Sequence, residues 1–543
     1  MLPEPPAPSR SHPWTRLLVV FVVAFDVAAF WQWMGGAYQS EFGGHPDEGA
    51  HYVTALHVTD FFRSGMKTSL TGSKTPETVH GDNDRTERPD TASRVIVETR
   101  PPGFAIVQSG WILAFGASRL SVLLLVAALA AGVATMLYRA VREEFGDWAA
   151  IAAALLWLCA ASIREAYGLL MPEMLSALAS FGGAIAWGRF LDLGRRRDAL
   201  WYSFFAMVAA WTDGVGVAML LMVLVSLLWT RLWFRLARWD VCLMGILPVI
   251  STLYFRKHAF DRFDFSPSSL IHAATFYAGK LSLVVGIAVA LSAMAGIGFR
   301  CFSRSDRQGR WVAIASLVAT VFAYCCVVSG HWQERYIVVS APCLILLAMA
   351  GVKGISGLTS VRVSDATERQ RRESLWVLLL VLLVLPFEVM KVRLKEFDGF
   401  GAIARTLIDE APRDARILIS SDATGEGMFL SELAMNNRRN GFTIEKASTS
   451  LLADGENPSD TAIRRERFAE DRELLEYLTA GRIHYIVLDD SPTMKQRAGY
   501  HDQIRRVIED NVRSFWPLHT NPITRDGEVP LRPIQIFRVL ARS

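Results

Sequence analysis

Long apolar runs constrain this chain more than any other feature. They lie at Leu17–Phe30, Leu120–Leu137, Trp148–Ala161, Met219–Trp229, Leu281–Ile297, Trp311–Val328, Tyr336–Met349 and Leu375–Leu385. A hydrocarbon core holds no water for an exposed backbone, so runs that reach span length with their flanks read as helices crossing a bilayer. The pattern predicts about eleven spans, near residues 16–36, 118–138, 147–162, 173–191, 198–211, 214–230, 240–255, 275–299, 311–329, 335–352 and 374–391. Of 543 residues, 51% are hydrophobic, more than a soluble protein of this length requires. The fold class is a polytopic α-helical membrane protein.

The net charge of +4 hides an ordered distribution. Arg139 and Arg142; Arg195, Arg196 and Arg197; Arg231, Arg235 and Arg238; Arg300, Arg304, Arg307 and Arg310; and Lys353, Arg362, Arg369, Arg371 and Arg372 fall in one alternating set of connections. Cytoplasmic loops collect Lys and Arg, which places this set in the cytoplasm with the proline-rich, disordered residues 1–15. The first apolar run lacks a small-residue cleavage site and reads as a retained helix. The transmembrane domain is then 16–391, with outer loops 37–117, 163–172, 256–274 and 330–334. An odd number of spans puts residues 392–543 outside as well. Short β-branched runs at Ala415–Ser420, His484–Leu488 and Ile534–Val539 alternate there with helical stretches, the pattern of a small α/β domain. Its DATGEG stretch, Asp422–Gly427, reads as a strand–helix turn, with a phosphate cradle as the sharper alternative. The six Cys show neither metal spacing nor a disulfide framework. The Arg clusters lack interleaved aromatics, so no nucleic-acid surface is expected.

With this topology the unusual polar residues gather on the outer face. The first loop carries His45, Asp47, Glu48, His51 and Tyr52. REAYGLLMPEM supplies Arg164, Glu165, Tyr167 and Glu173; RKH supplies Arg256, Lys257 and His258; and HWQERY supplies His331, Glu334, Arg335 and Tyr336. Ionisable groups at a membrane edge are costly and usually pair or serve function. Pro46 suits the first turn of a helix, where Asp47 and Glu48 face the positive end of its dipole. Adjacent helical side chains point about 100° apart, so the two acids do not share one proton. One can face a substrate while the other supports a neighbouring loop. A divalent metal is left open at His45, Asp47, Glu48 and His51.

HPDEGAHY at 45–52, RPPGF at 100–104, REAYGLLMPEM at 164–174, WTDGVGVAML at 211–220 and ERYIVVSAP at 334–342 carry a resemblance over roughly residues 14–391. The sequence resembles the GT-C glycosyltransferases, and is most similar there to the protein O-mannosyltransferase and lipid A aminoarabinose transferase branch. The resemblance implies that Asp47 is the catalytic base, that Glu173 is the acid at the end of the second outer loop, and that Arg335 and Tyr336 match the family's Arg-Tyr. It departs at Asp213, where many relatives have a lysine, and at Glu173, where aspartate is common. The implied function is transfer of a sugar from a polyprenyl-phosphate carrier to an acceptor hydroxyl, with inversion, at the extracytoplasmic face of a bacterial inner membrane. Such a reaction needs a base at the hydroxyl and cations at the departing phosphate. Arg164, Arg256, Lys257 and Arg335 are candidates for the phosphate; Glu48 joins Asp47 among the catalytic acids, and His51, Tyr52, Glu173, Glu334 and Tyr336 join the substrate contacts. The expected partners are the lipid-linked sugar, a glycan, lipid or protein acceptor, and membrane lipids. The alternative is a transporter or flippase of cell-envelope lipid or glycan precursors, and a receptor or assembly protein is a third class.

Overall fold

The computed structural model describes residues 13–71, 101–232, 234, 245–246, 248–251, 253–254, 263–302, 308–328, 332–359, 366–391, 394–436, 441–451, 467–480, 483–491, 499–525 and 533–540. The chain forms two compact units. One comprises residues 1–32, 124–168 and 172–392, and the other residues 33–123, 169–171 and 393–543.

The first unit is helical: α1 (Pro13–Met34), α4 (Arg119–Phe145), α5 (Asp147–Cys159), α6 (Ala161–Tyr167), α7 (Glu173–Leu193), α8 (Arg196–Thr212), α9 (Val215–Thr230), α10 (Pro267–Val285), α11 (Ile287–Cys301), α12 (Gln308–Val327), α13 (Arg335–Val338), α14 (Ala341–Thr359) and α15 (Ala366–Met390). Among the described residues, 6 helices are long and apolar enough to cross a membrane, or up to 8 if each bent pair is one span. The sequence predicts about eleven; the helices at the spans expected near 198–211 and 214–230 have 17 and 16 residues and fall short of that length. Most of the expected span at 240–255 lies outside the described residues. The expected span at 275–299 starts earlier, where the Ser266 hydroxyl accepts from Ser269 N–H and caps α10 at Pro267. It then breaks, α10 and α11 meeting at 106°. Gly286 sits at the bend with φ +83, a conformation costly for any residue with a Cβ. The expected span at 335–352 divides into the short α13 and the longer α14, and α14 alone is one of the 6.

Without a hydrophobic drive between helices in lipid, small residues and close backbone contact hold such a bundle. A Cβ on Gly296 would lie 1.9 Å from the Leu347 carbonyl oxygen, and one on Gly351 1.9 Å from that of Ser292, so α11 and α14 cross backbone to backbone. Residues at four of the arginine-rich connections meet at one end of the bundle. Arg310 reaches Glu144 at 3.0 Å and the Ala140 carbonyl at 3.2 Å. Asp192 accepts from Gly309 N–H, and Lys353 donates to the Glu144 carbonyl.

The second unit contains α2 (Pro46–Thr71), α3 (Gly103–Phe115), α16 (Phe400–Glu410), β1 (Arg416–Ser420), α17 (Ala423–Asn436), β2 (Thr443–Lys446), α18 (Ala447–Ser450), α19 (Asp471–Thr479), β3 (Tyr485–Asp489), α20 (Gly499–Asp510), β4 (Phe515–Asn521) and β5 (Ile534–Val539). The described residues of 37–117 include α2 and α3 and belong to the same unit as the C-terminal residues. The sheet order is β2-β1-β3-β5-β4, with β1 parallel to β2 and β3, and β5 antiparallel to β3 and β4. Both faces are covered, so the central strands are apolar throughout rather than alternating. Ile417, Ile419, Tyr485, Val487, Ile534 and Ile536 pack with Phe400, Leu407, Met428 and Phe429. Leu418, Ile486 and Leu488 pack with Leu474, Leu478, Ile504 and Val507.

Candidate active site

The acidic turn lies in the second unit. His45 precedes α2, and its Nδ1 accepts from Asp47 N–H at 3.1 Å. Glu48, three residues after His45, reaches back to His45 N–H at 3.2 Å, so the pair satisfies the free donors of the first turn reciprocally. Glu48 is fully buried. Its Oε2 also accepts from Gly44 N–H at 2.8 Å, and its Oε1 from Leu170 N–H at 2.8 Å and Lys395 Nζ at 3.3 Å. Asp47 differs: its side chain is 34% exposed and lies 3.7 Å from the His45 ring. The two neighbouring acids thus divide as their helical spacing requires, one turned inward and one outward.

Close packing fixes this turn. A Cβ on Gly49 would lie 2.1 Å from the Gly427 carbonyl oxygen, so α2 meets α17 through glycine backbones. The DATGEG stretch opens α17, and its helix start is already filled. Asp422 accepts from Gly425 N–H at 2.8 Å, and Arg525 Nη1 reaches its two carboxylate oxygens at 2.8 and 3.0 Å. That occupies the place a phosphate cradle would need.

Other expected contacts of the first loop fall into the core. Tyr52 is fully buried, and its hydroxyl donates to the Ala117 carbonyl at 2.6 Å. Burial pushes its pKa well above the usual tyrosine value. His51 stands edge-on to Phe104 at 5.6 Å between ring centres. Among the described residues no three of His, Cys, Asp and Glu converge to hold a metal ion. The set His45, Asp47, Glu48 and His51 therefore does not assemble as a divalent site; Glu48 is turned into its own donors instead.

The first unit brings together a second set. Glu173 opens α7, is 2% exposed, and pairs with Arg335 at 3.1 Å. The Arg335 guanidinium lies 5.4 Å from the centre of the Tyr336 ring. The carboxylate of Asp213, at the end of α8, acts electrostatically on Arg335 and Tyr336. Glu334 pairs with Lys280 at 2.8 Å, both partners about a third exposed. Arg164 is committed elsewhere: it donates to the carbonyls of Glu388 and Lys391 and lies 4.3 Å from the Trp31 ring centre. These contacts make it a clamp on the end of α15. Arg256 and Lys257 lie outside the described residues. Lys280 and Lys395 are two cations that sequence reasoning misses. A lone lysine beside the apolar run at 281–297 is a usable signal for the first, while nothing local marks Lys395.

This bent-helix bundle, in a chain that also carries a small α/β unit, shares its fold with membrane glycosyltransferases of solved structure. The crystal structure of ArnT from Cupriavidus metallidurans in the apo state matches 98% of this chain and 100% of its own, with TM-score 0.56 and 14% identity. ArnT bound to undecaprenyl phosphate matches at TM-score 0.54, with the same identity and coverage. The oligosaccharyltransferase of Archaeoglobus fulgidus, in complex with Zn and sulfate, matches 86% of this chain and 67% of its own at TM-score 0.51 and 13% identity. The mycobacterial arabinofuranosyltransferase AftD matches 98% of this chain and 42% of its own, at TM-score 0.52 and 14% identity. At these identities the likeness is one of fold. No family sequence model and no curated protein sequence matches the chain.

Proposed function

We propose that this protein is an integral-membrane glycosyltransferase that moves a sugar from a polyprenyl-phosphate carrier to an acceptor hydroxyl, with Asp47 as general base. The observation that carries the reading is the asymmetry of the acidic turn. Glu48 is buried and saturated with donors, while Asp47 stands partly exposed on the same first helical turn. A carboxylate on a hydrogen-bonded turn and within reach of solvent suits deprotonation of an incoming hydroxyl. Direct attack by that hydroxyl on the anomeric carbon inverts it and expels the lipid phosphate. The likeness to ArnT, which has been solved with undecaprenyl phosphate, supports a lipid-borne donor. Among the described residues of the first unit, Arg335 is our candidate to steady a departing phosphate, since guanidinium contacts can be bidentate and Glu173 pairs with it. Glu334, Lys280 and Tyr336 complete the polar rim. The arginine distribution supports placing the acidic turn and residues 392–543 outside the cytoplasm, in the periplasm of a bacterium with two membranes.

The test is transfer of radiolabelled sugar from a polyprenyl-phosphate donor by protein purified in detergent. Wild type should transfer without any nucleotide sugar present. Asp47→Asn keeps size and hydrogen bonding but takes up no proton, so turnover should fall by about 10²–10⁴-fold at normal expression. Turnover within about twofold of wild type removes Asp47 from the chemistry. The broken pairs α5–α6 and α10–α11 also suit a transporter; movement of the intact lipid-linked sugar with no transfer product would favour that reading.

A further inference from the structure

The acidic turn is tied to the stretch of chain that leads into the C-terminal domain. Lys395 N–H donates to the Gly35 carbonyl at 2.8 Å, Glu41 N–H to the Phe397 carbonyl at 2.7 Å, and Phe397 N–H to the Ser40 hydroxyl at 3.1 Å. Residues 395–397 therefore run stitched to the loop that leads from α1 to α2. From this ladder the Lys395 side chain reaches Glu48 Oε1 at 3.3 Å. The side chain of Lys395 is 17% exposed and that of Glu48 is 0% exposed. A Cβ on Gly44 would meet Lys395 Cε at 2.8 Å and Leu169 Cδ2 at 2.4 Å, so the glycine lets the lysine stem lie against the turn.

Among the described residues, three of the donors to Glu48 are backbone amides and only Lys395 carries charge. A buried carboxylate without a compensating cation is strongly destabilising, and it either takes up a proton or moves toward water. Either change loosens the grip of Glu48 on Gly44 and His45, the residues that lead into Asp47. We propose that Lys395 is a positioning residue for the acidic turn: by neutralising Glu48 it holds the backbone that presents Asp47. Its catalytic sense rests on the reading of Asp47 as base. The inference also gives the segment entering the C-terminal domain a part in the reaction.

The experiment uses full-length protein purified in detergent, with Lys395→Met, Lys395→Arg, Glu48→Gln, the double variant Lys395→Met/Glu48→Gln, and Asp47→Asn as reference. Two quantities are read: kcat and KM for transfer from a polyprenyl-phosphate sugar, and hydrogen exchange of peptides covering residues 43–48 and 169–171. A misplacement near 1 Å at a reacting group costs on the order of 10²-fold, so kcat of Lys395→Met should fall by about that much, with KM for the lipid donor little changed. Exchange at the turn should rise, and Lys395→Arg should restore most of both. The double variant should be more active than Lys395→Met, because a neutral glutamine no longer needs the cation. Wild-type kcat in Lys395→Met, unchanged exchange at the turn, or a double variant no better than Lys395→Met would each overturn the proposal. Wild-type turnover in Asp47→Asn would overturn the base assignment and with it the catalytic sense of Lys395, whatever Lys395→Met does. A silent Lys395→Met beside an inactive Asp47→Asn would overturn the present proposal alone.

Discussion

Glu41 makes the stability of the second unit depend on pH in a calculable way. It is 3% exposed and sits at the start of α16. Its Oε1 accepts from Gly399 N–H at 3.1 Å and Gly401 N–H at 2.6 Å, and its Oε2 from Phe400 N–H at 3.1 Å. Burial first, and then the Glu432 carboxylate nearby, push its pKa from 4.5 up to about 7, against the opposing pull of those amides. Glu432 is itself held by Arg119, and Asp398 adds a smaller repulsion. The folded value lies above the unfolded one, so the stability associated with protonated Glu41 is fully present below about pH 4.5 and is lost as pH rises through about 7. A tenfold change in proton affinity corresponds to about 1.4 kcal/mol, so the interval from 4.5 to about 7 amounts to about 3 kcal/mol. For a domain of this size that is roughly 6–12 °C in Tm. Glu426, also raised to about 7 by burial, contributes in the same window, so the wild-type curve alone does not isolate Glu41. Glu41→Gln does. Its amide NH₂ would face Phe400 N–H, a pH-independent cost of about 1–3 kcal/mol. The variant should therefore be less stable at pH 5, with the gap closing or reversing by pH 8. Thermal unfolding of both proteins in detergent, followed by tryptophan fluorescence at several pH values from 4.5 to 8, measures the difference. Parallel curves across that range would refute the reasoning.

Two further outcomes follow from geometry and charge. Gly49→Ala forces a Cβ to within 2.1 Å of the Gly427 carbonyl, so it should destabilise the second unit and lower turnover; overpacking of this kind typically costs about 1–3 kcal/mol. Gly110→Ala on α3, where nothing lies within 4 Å of the added carbon, is the control; it should be neutral or stabilising by about 0.5–1 kcal/mol. A reporter active only in the cytoplasm, fused after Ser543, should be silent, and a strong signal would reverse the orientation drawn from the arginine-rich connections.

The fold class was legible because its signals are repetitive. Apolar runs and arginine-rich connections each recur many times, and a single misread boundary leaves the pattern standing. Bends were not legible. Gly286 looks like any glycine in an apolar run, yet its positive φ turns one expected span into two helices. Glu48 could be placed on a helix start from Pro46 alone, and the inward–outward split of the two acids follows from helical spacing. Which acid faces inward depends on Gly44, Leu170 and Lys395, and the last lies 347 residues away in sequence. Arg164 and Arg335 illustrate the same limit. Both are arginines at the rim of the bundle, and by sequence both suit a phosphate. One is bound to backbone carbonyls and a tryptophan face, the other to a buried carboxylate. Periodicity reports the environment a residue needs, but a partner is a long-range fact.

The charge around Glu48 gives a reason for two acids to stand together at this turn. A lone exposed aspartate at a helix start would be held by its own backbone and little else, and its carboxylate would sample several rotamers. Placing a second acid one residue later recruits donors from three separate stretches, Gly44 and His45, Leu170, and Lys395, onto the same turn. Each donor ties down backbone next to Asp47, whose side chain the helical offset turns away from that of Glu48. On the proposed reading of Asp47, the buried acid acts as an anchor for the turn. Its donors then serve to hold the helix start that carries Asp47.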